Sequence, residues 1–94
     1  MNTCDDSSAR REIRLLYAFL RDEEERRRRV LREISALRLW EHAPGHSHLT
    51  RWIAGVAVGR RHAELEAVDR SIRELRAKLE ELLGKMSREA AHTA

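Results

Sequence analysis

Glu41, His42, His46 and His48 fall close together in the sequence, with His62 further along. Imidazole nitrogens suit zinc and nickel, so His42-x3-His46-x-His48 is the stretch with the strongest claim on a metal ion. The pattern is weak. Structural zinc sites draw on cysteines in paired spacings, and Cys4 is the chain's only cysteine, which also rules out an intrachain disulfide. Histidines flanking a Pro-Gly pair serve equally well as polar turn residues. No metal is expected here, and His42, His46 and His48 remain weak candidates.

A second chemistry-bearing stretch is Asp22 to Arg29, read as DEEERRRR. Arg26, Arg27, Arg28 and Arg29, joined by Arg60 and Arg61, are the residues that would contact phosphates if the protein bound nucleic acid. On a helix, however, Asp22→Arg26, Glu23→Arg27, Glu24→Arg28 and Glu25→Arg29 are four acid-to-base pairs at i, i+4. Their orientation suits the helix dipole. Such pairs, at roughly 0.3 to 0.5 kcal/mol each when exposed, keep a long solvated helix continuous without any packing. Each arginine then has a carboxylate one turn away, which favours the solvated-helix reading over a phosphate patch.

Catalysis finds no foothold. The chain has no Gly-rich phosphate loop, no nucleophile-base ordering and no carboxylate pair set apart in an apolar context. The expectation is a protein that is not an enzyme, with no catalytic residues and no cofactor. The net charge of +3 is the difference between 19 basic and 16 acidic side chains, so the pI of about 9.7 overstates any long-range positive field. Arginine outnumbers lysine 17 to 2, a bias that a GC-rich bacterial genome produces as readily as a need for forked donors.

The elements that carry these residues are helical. Ninety-four residues allow one domain at most. Hydrophobic residues are 41% and charged residues 37%, with four Gly and one Pro, which lies toward the coiled-coil end of the compositional range. Residues 1–7 read as a disordered tail ending in N-cap types, with Asp6, Ser7 or Ser8 as candidate caps. The hairpin spans 8–86: a first helix over about 8–42, a turn at 43–47 where Pro44-Gly45 stops it, and a second helix over about 48–84. Ser47 or Thr50 caps that second helix. Residues 87–94 read as a flexible C-terminal tail. So short a connection makes the helices antiparallel neighbours.

In the second helix Leu65, Val68, Ile72, Leu75, Leu79, Leu82 and Met86 step by 3 and 4 without a defect, a coiled-coil seam. In the first helix the same stepping runs Ile13, Leu16, Leu20, then Glu23 and Arg27, then Val30, Ile34 and Leu37. Folding at Pro44-Gly45 sets this charged break opposite residues 59–64. A polar belt is therefore expected, with Glu23 to Glu25 meeting Arg60 and Arg61. Below it Ile13 to Leu20 should pack on Leu65 to Leu83, and above it Val30 to Trp40 on Leu49 to Val58.

Two apolar runs exceed what one hairpin can cover. Trp52-Ile53-Ala54-Gly55-Val56-Ala57-Val58-Gly59 and Leu15-Leu16-Tyr17-Ala18-Phe19-Leu20 point in every direction around a helix. Gly55, Gly59 and Ala63 form a row of small residues that would let another helix approach closely. The expected interface residues are Tyr17, Phe19, Leu20, Trp40, Trp52, Ile53, Gly55, Val56 and Gly59. Neither run reaches the length of a bilayer span, and no basic-then-apolar leader is visible, so a cytoplasmic location is expected. Trp40-Glu41-His42 and Trp52-Ile53-Ala54 both lack the Trp-x-Gly turn of small secreted helical hairpins.

The fold expected is all-α, an antiparallel helical hairpin that dimerises into a four-helix bundle. The function expected is a regulatory protein-protein interaction module, of inhibitor, antiactivator, adaptor or co-chaperone type. Its partners are a second copy and another protein. The alternative is a small nucleic-acid-binding regulator using the arginines.

Overall fold

The computed structural model describes residues 2–93, and side chains for residues 7–91. From Asn2 to His42 the chain holds no glycine or proline, and it forms a single helix, α1 (Asn2–His42), of 41 residues. Pro44 cannot continue the hydrogen-bond ladder, and Gly45 takes the left-handed φ of 89° that turns the chain. The N–H of Ala43 donates to Trp40 O at 3.3 Å to close the last turn.

Ser47 then starts the second helix, α2 (His48–Thr93), of 46 residues. Its Oγ accepts from the Thr50 N–H at 3.1 Å and donates to Thr50 Oγ1 at 2.8 Å, while its carbonyl accepts from the Arg51 N–H at 3.1 Å. That is the N-cap geometry that satisfies a free donor of the first turn. Of the two candidate caps, Ser47 takes the role and Thr50 supports it from inside the helix.

The two helices lie antiparallel as the expected hairpin, in a rod of 70 × 15 × 15 Å, with no strand among the described residues. Both helices run further than expected. α1 already includes Asn2, and α2 carries past Gly84 to Thr93. Ser7 and Ser8 therefore lie inside α1 rather than capping it, and the Asp6 side chain lies outside the described residues. Residues 1 and 94 of the two expected tails also lie outside them. The physical reason is that nothing in 2–7 breaks a helix. Gly84 costs only about 1 kcal/mol in an interior position, and Lys85, Met86, Arg88, Glu89 and Ala90 after it are good helix formers.

The core is the seam between the helices, in two clusters. Toward the chain ends, Leu16 and Leu20 bury against Val68, Ile72 and Leu79, with Ile13, Leu75 and Leu82 packed around them. Toward the turn, Val30 and Ile34 bury against Val58, flanked by Leu37 and Leu65. The 3-4 stepping of α2 is thus the face that meets α1.

The charged break belongs to α1 alone. Glu23 and Arg27 interrupt its apolar stepping, but Leu65, Val68 and Ile72 of α2 run on through that height, and Val68 is only 1% exposed. The expected pairing of residues 22–29 with 59–64 is therefore corrected. Arg26 still meets Glu64, but Arg27 meets Asp69 and Glu24 meets Arg76, one or more turns further along α2. The two apolar clusters pack α1 on α2 in that register.

Candidate functional site

Three kinds of surface carry the residues singled out above: an apolar stripe near the turn, a smaller apolar patch on the first helix, and two charged edges.

The stripe arises from a second periodicity in α2. Leu49, Trp52, Ile53 and Val56 stand at i, i+3, i+4 and i+7, which places them on one face. They are 64%, 64%, 53% and 38% exposed, whereas Ala54 and Val58, which face α1, are buried. Helical spacing sets the two stripes on roughly opposite sides of α2. Leu49, expected on the α1 seam, is exposed instead, because its spacing matches Trp52 and Val56 and not Ala54 and Val58. That spacing is the signal present in the sequence.

Trp40 and Leu39, at the end of α1, are also exposed. The Trp40 ring lies 4.5 Å from that of His46, centroid to centroid, at 44°. This aromatic contact closes the turn over α1 and engages one of the three tip histidines. Among the described residues no group of three or more His, Cys, Asp and Glu gathers in the way that would hold a metal ion, so His42, His46 and His48 are not brought together as such a cluster. His62, further along, accepts a hydrogen bond at Nε2 from Arg38 Nη2 at 2.9 Å. Arginine can only donate, so this nitrogen is the unprotonated one.

The patch on α1 comprises Leu15, Tyr17 and Phe19, each about half exposed. Leu15 and Phe19, one turn apart, share an edge of the hairpin, and Tyr17 falls on the other side of the seam. Leu20, expected at an interface, is buried in the hairpin's own core against the α2 seam. Gly55 and Gly59 also part company. A Cβ on Gly55 would sit 3.3 Å from Glu41 Oε1, so this glycine accommodates α1, whereas Gly59 faces open space.

The charged edges replace the expected i, i+4 ladder. None of those four pairs forms an ion pair among the described residues. Arg26 and Arg27 reach across the groove to the facing helix instead, where Glu64 and Asp69 stand at partly shielded positions. One network holds Arg26 between Glu23, at 3.7 Å and i, i+3, and Glu64, at 3.3 Å. Arg61 donates to Glu64 at 2.8 Å and places its Nε 3.0 Å from Glu33 Oε2, the latter without hydrogen-bond alignment. The Glu64 carboxyl is held below the usual range, chiefly by the Arg61 hydrogen bond, and the Arg61 guanidinium is correspondingly raised.

The other network pairs Arg27 with Asp69 at 2.7 Å and Arg76 with Glu24 at 3.2 Å. These residues line a shallow groove together with Arg28, Ile72 and Arg73. The six arginines considered as one phosphate patch are therefore divided. Arg26 and Arg61 lie in one network, Arg27 and Arg28 line the groove of the other, and half of their charge is already matched by acids. The Glu23 to Glu25 contacts expected with Arg60 and Arg61 do not form among the described residues; Arg61 instead meets Glu33 on α1 and Glu64 one turn along its own helix.

No helix of the described residues is long and apolar enough to cross a membrane. No protein-family model matches the chain, and neither a curated protein nor a solved structure matches it.

Proposed function

We propose that the hairpin is a non-enzymatic protein-protein interaction module that works as a homodimer, regulatory in the manner of an inhibitor, antiactivator, adaptor or co-chaperone. The observation that carries this reading is the exposed stripe Leu49, Trp52, Ile53 and Val56. At typical side-chain areas it amounts to about 500 Å² of contiguous apolar surface, which is the scale of functional patches on monomeric proteins. The hairpin's own seam is complete without it. Action in a bacterial cytoplasm belongs to the same proposal, and a lone cysteine suits a reducing compartment.

Light scattering tests it. The single chain weighs 11.0 kDa, and the unmodified protein at micromolar concentration should give at least twice that mass. Trp52→Glu should return it to the single-chain mass with helicity unchanged. An unmodified protein that is monomeric under these conditions would end the homodimer reading.

A second reading, a small nucleic-acid-binding regulator, rests on Arg28, Arg29 and Arg60, which carry no ion pair among the described residues. Tight duplex-DNA binding with a logarithmic salt slope that flattens by roughly 2 to 3 units on changing these three to Gln would establish it.

A further inference from the structure

We infer that the occupant of the stripe is the same stripe of a second copy, crossed antiparallel about Val56, so that two hairpins overlap at their turns into an extended rod. This rests on the self-association proposed above and adds the geometry of the interface.

The order of side chains along the outward face of α2 points to this crossing. Leu49, Trp52, Ile53 and Val56 are bulky and exposed, and Gly59, Ala63 and Ala67 follow them, small and exposed, with open space at the Gly59 Cβ position. A bulky segment followed by a small one is self-complementary only when two copies run in opposite directions. With the two-fold axis at Val56, Leu49 of one copy lies over Ala63 of the other, Trp52 beside Gly59, and Ile53 beside Arg60. Arg60 is exposed and has no ion-pair partner among the described residues, so its aliphatic stem can lie along Ile53 with the guanidinium in solvent, while the open space at Gly59 takes the indole. The close approach uses the small residues as a groove for large ones.

Other arrangements serve the stripe less well. In a parallel, in-register pair Trp52 would meet Trp52 and Arg60 would meet Arg60, which sets bulk against bulk and like charge against like. In a side-by-side bundle centred on the middle of the rod, the stripe would lie opposite the far end of α2, where Glu81, Lys85 and Arg88 are exposed. The area agrees as well. Two stripes covering each other remove about 1,000 Å² in total, the lower bound of a specific interface. Val56 stands about 15 Å from the turn at the helical rise per residue. Overlap there joins two rods of 70 Å into one of about 110 Å.

The experiment uses the full chain with Cys4→Ser as background. Val56→Cys should form a disulfide-linked dimer under mild oxidation, because the two-fold axis brings its copies together. Leu49→Cys should not, since its copies would stand about 20 Å apart, far beyond the Cα separation that a disulfide tolerates. Small-angle scattering of the Cys4→Ser protein should give a maximum dimension of about 110 Å. Gly59→Leu should restore the single-chain mass with helicity retained. A dimer that links through both cysteines overturns the antiparallel crossing. A dimer that links through neither, with a dimension near that of one rod, overturns the overlap at the turn. Both outcomes leave self-association standing. A single-chain mass in every variant and in the background protein would remove the inference together with the homodimer reading beneath it.

Discussion

Arg27 Nε donates to Asp69 Oδ1 at 2.7 Å, the shortest ion pair between the two helices among the described residues. Arg27 stands where the 3-4 stepping of α1 calls for an apolar side chain, and Asp69 follows Val68, the most deeply buried residue of α2. An arginine satisfies both demands, since its aliphatic stem can follow the seam while its head reaches the edge. Its position also shows why the charged stretch does not divide the hairpin.

The strength of that pair is the first prediction. Both side chains are about two-fifths exposed, so solvent screens them. A double-mutant cycle with Arg27→Ala and Asp69→Ala should give a coupling of about 0.5 to 1 kcal/mol that falls as salt rises. A coupling unchanged between about 0.05 and 1 M salt would contradict the exposed geometry.

Glu23 presents the opposite case. Its Oε2 is buried without a hydrogen-bond partner, and its Oε1 has only Arg26 at 3.7 Å. Glu23→Leu would extend the apolar stepping from Leu20 toward Val30 and remove the stranded oxygen. Stability should rise by about 1 to 2 kcal/mol, seen as a higher urea midpoint at constant slope. An unchanged or lower midpoint would show that the carboxylate is better satisfied in solution than its surroundings indicate.

Glu64 makes the hairpin sensitive to acid. Its folded carboxyl is held below the ordinary value by the Arg61 hydrogen bond, with Arg26 assisting. The stabilisation is therefore present above the unfolded value of about 4.3 and is lost as pH falls through the lower folded one. In thermal melts the advantage of the unmodified protein over Glu64→Gln should shrink as pH is lowered from about 6 to below about 4. A constant difference across that range would place the origin of the advantage elsewhere.

Gly55 tests how firmly α1 is held near the turn. An added Cβ would meet Glu41 Oε1 at 3.3 Å, the far end of a flexible, half-buried side chain. A shift of a few tenths of an ångström relieves it, so helix propensity decides the sign. Gly55→Ala should raise stability by up to about 1 kcal/mol in chemical denaturation. A loss would mean that the Glu41 carboxylate is fixed in place.

Much of the architecture is legible from residue order because helical periodicity is a local property. The uninterrupted stepping from Leu65 to Met86 identifies the face of α2 that meets α1. Pro44 and Gly45 locate the turn, and Ser47 is one of two candidate caps. The helix ends are not legible in the same way. Polar residues such as Asn2 to Ser7 are compatible with a cap, a tail or a helix, and only the continued hydrogen-bond ladder distinguishes them.

The candidate surfaces are legible only in part. The excess of apolar residues in 15–20 and 52–59 is visible in the sequence, because more of them occur than one seam can absorb. Periodicity assigns each side chain a direction around its own helix, but it does not specify the axial shift of one helix against the other. Packing of Leu16, Leu20, Val30 and Ile34 on Val58, Val68, Ile72 and Leu79 sets that shift. In the fold Leu20 is interior, as its place in the α1 stepping requires, Gly55 faces Glu41 while Gly59 lies open, and Arg26 and Arg27 find Glu64 and Asp69 across the groove rather than the acids one turn before them.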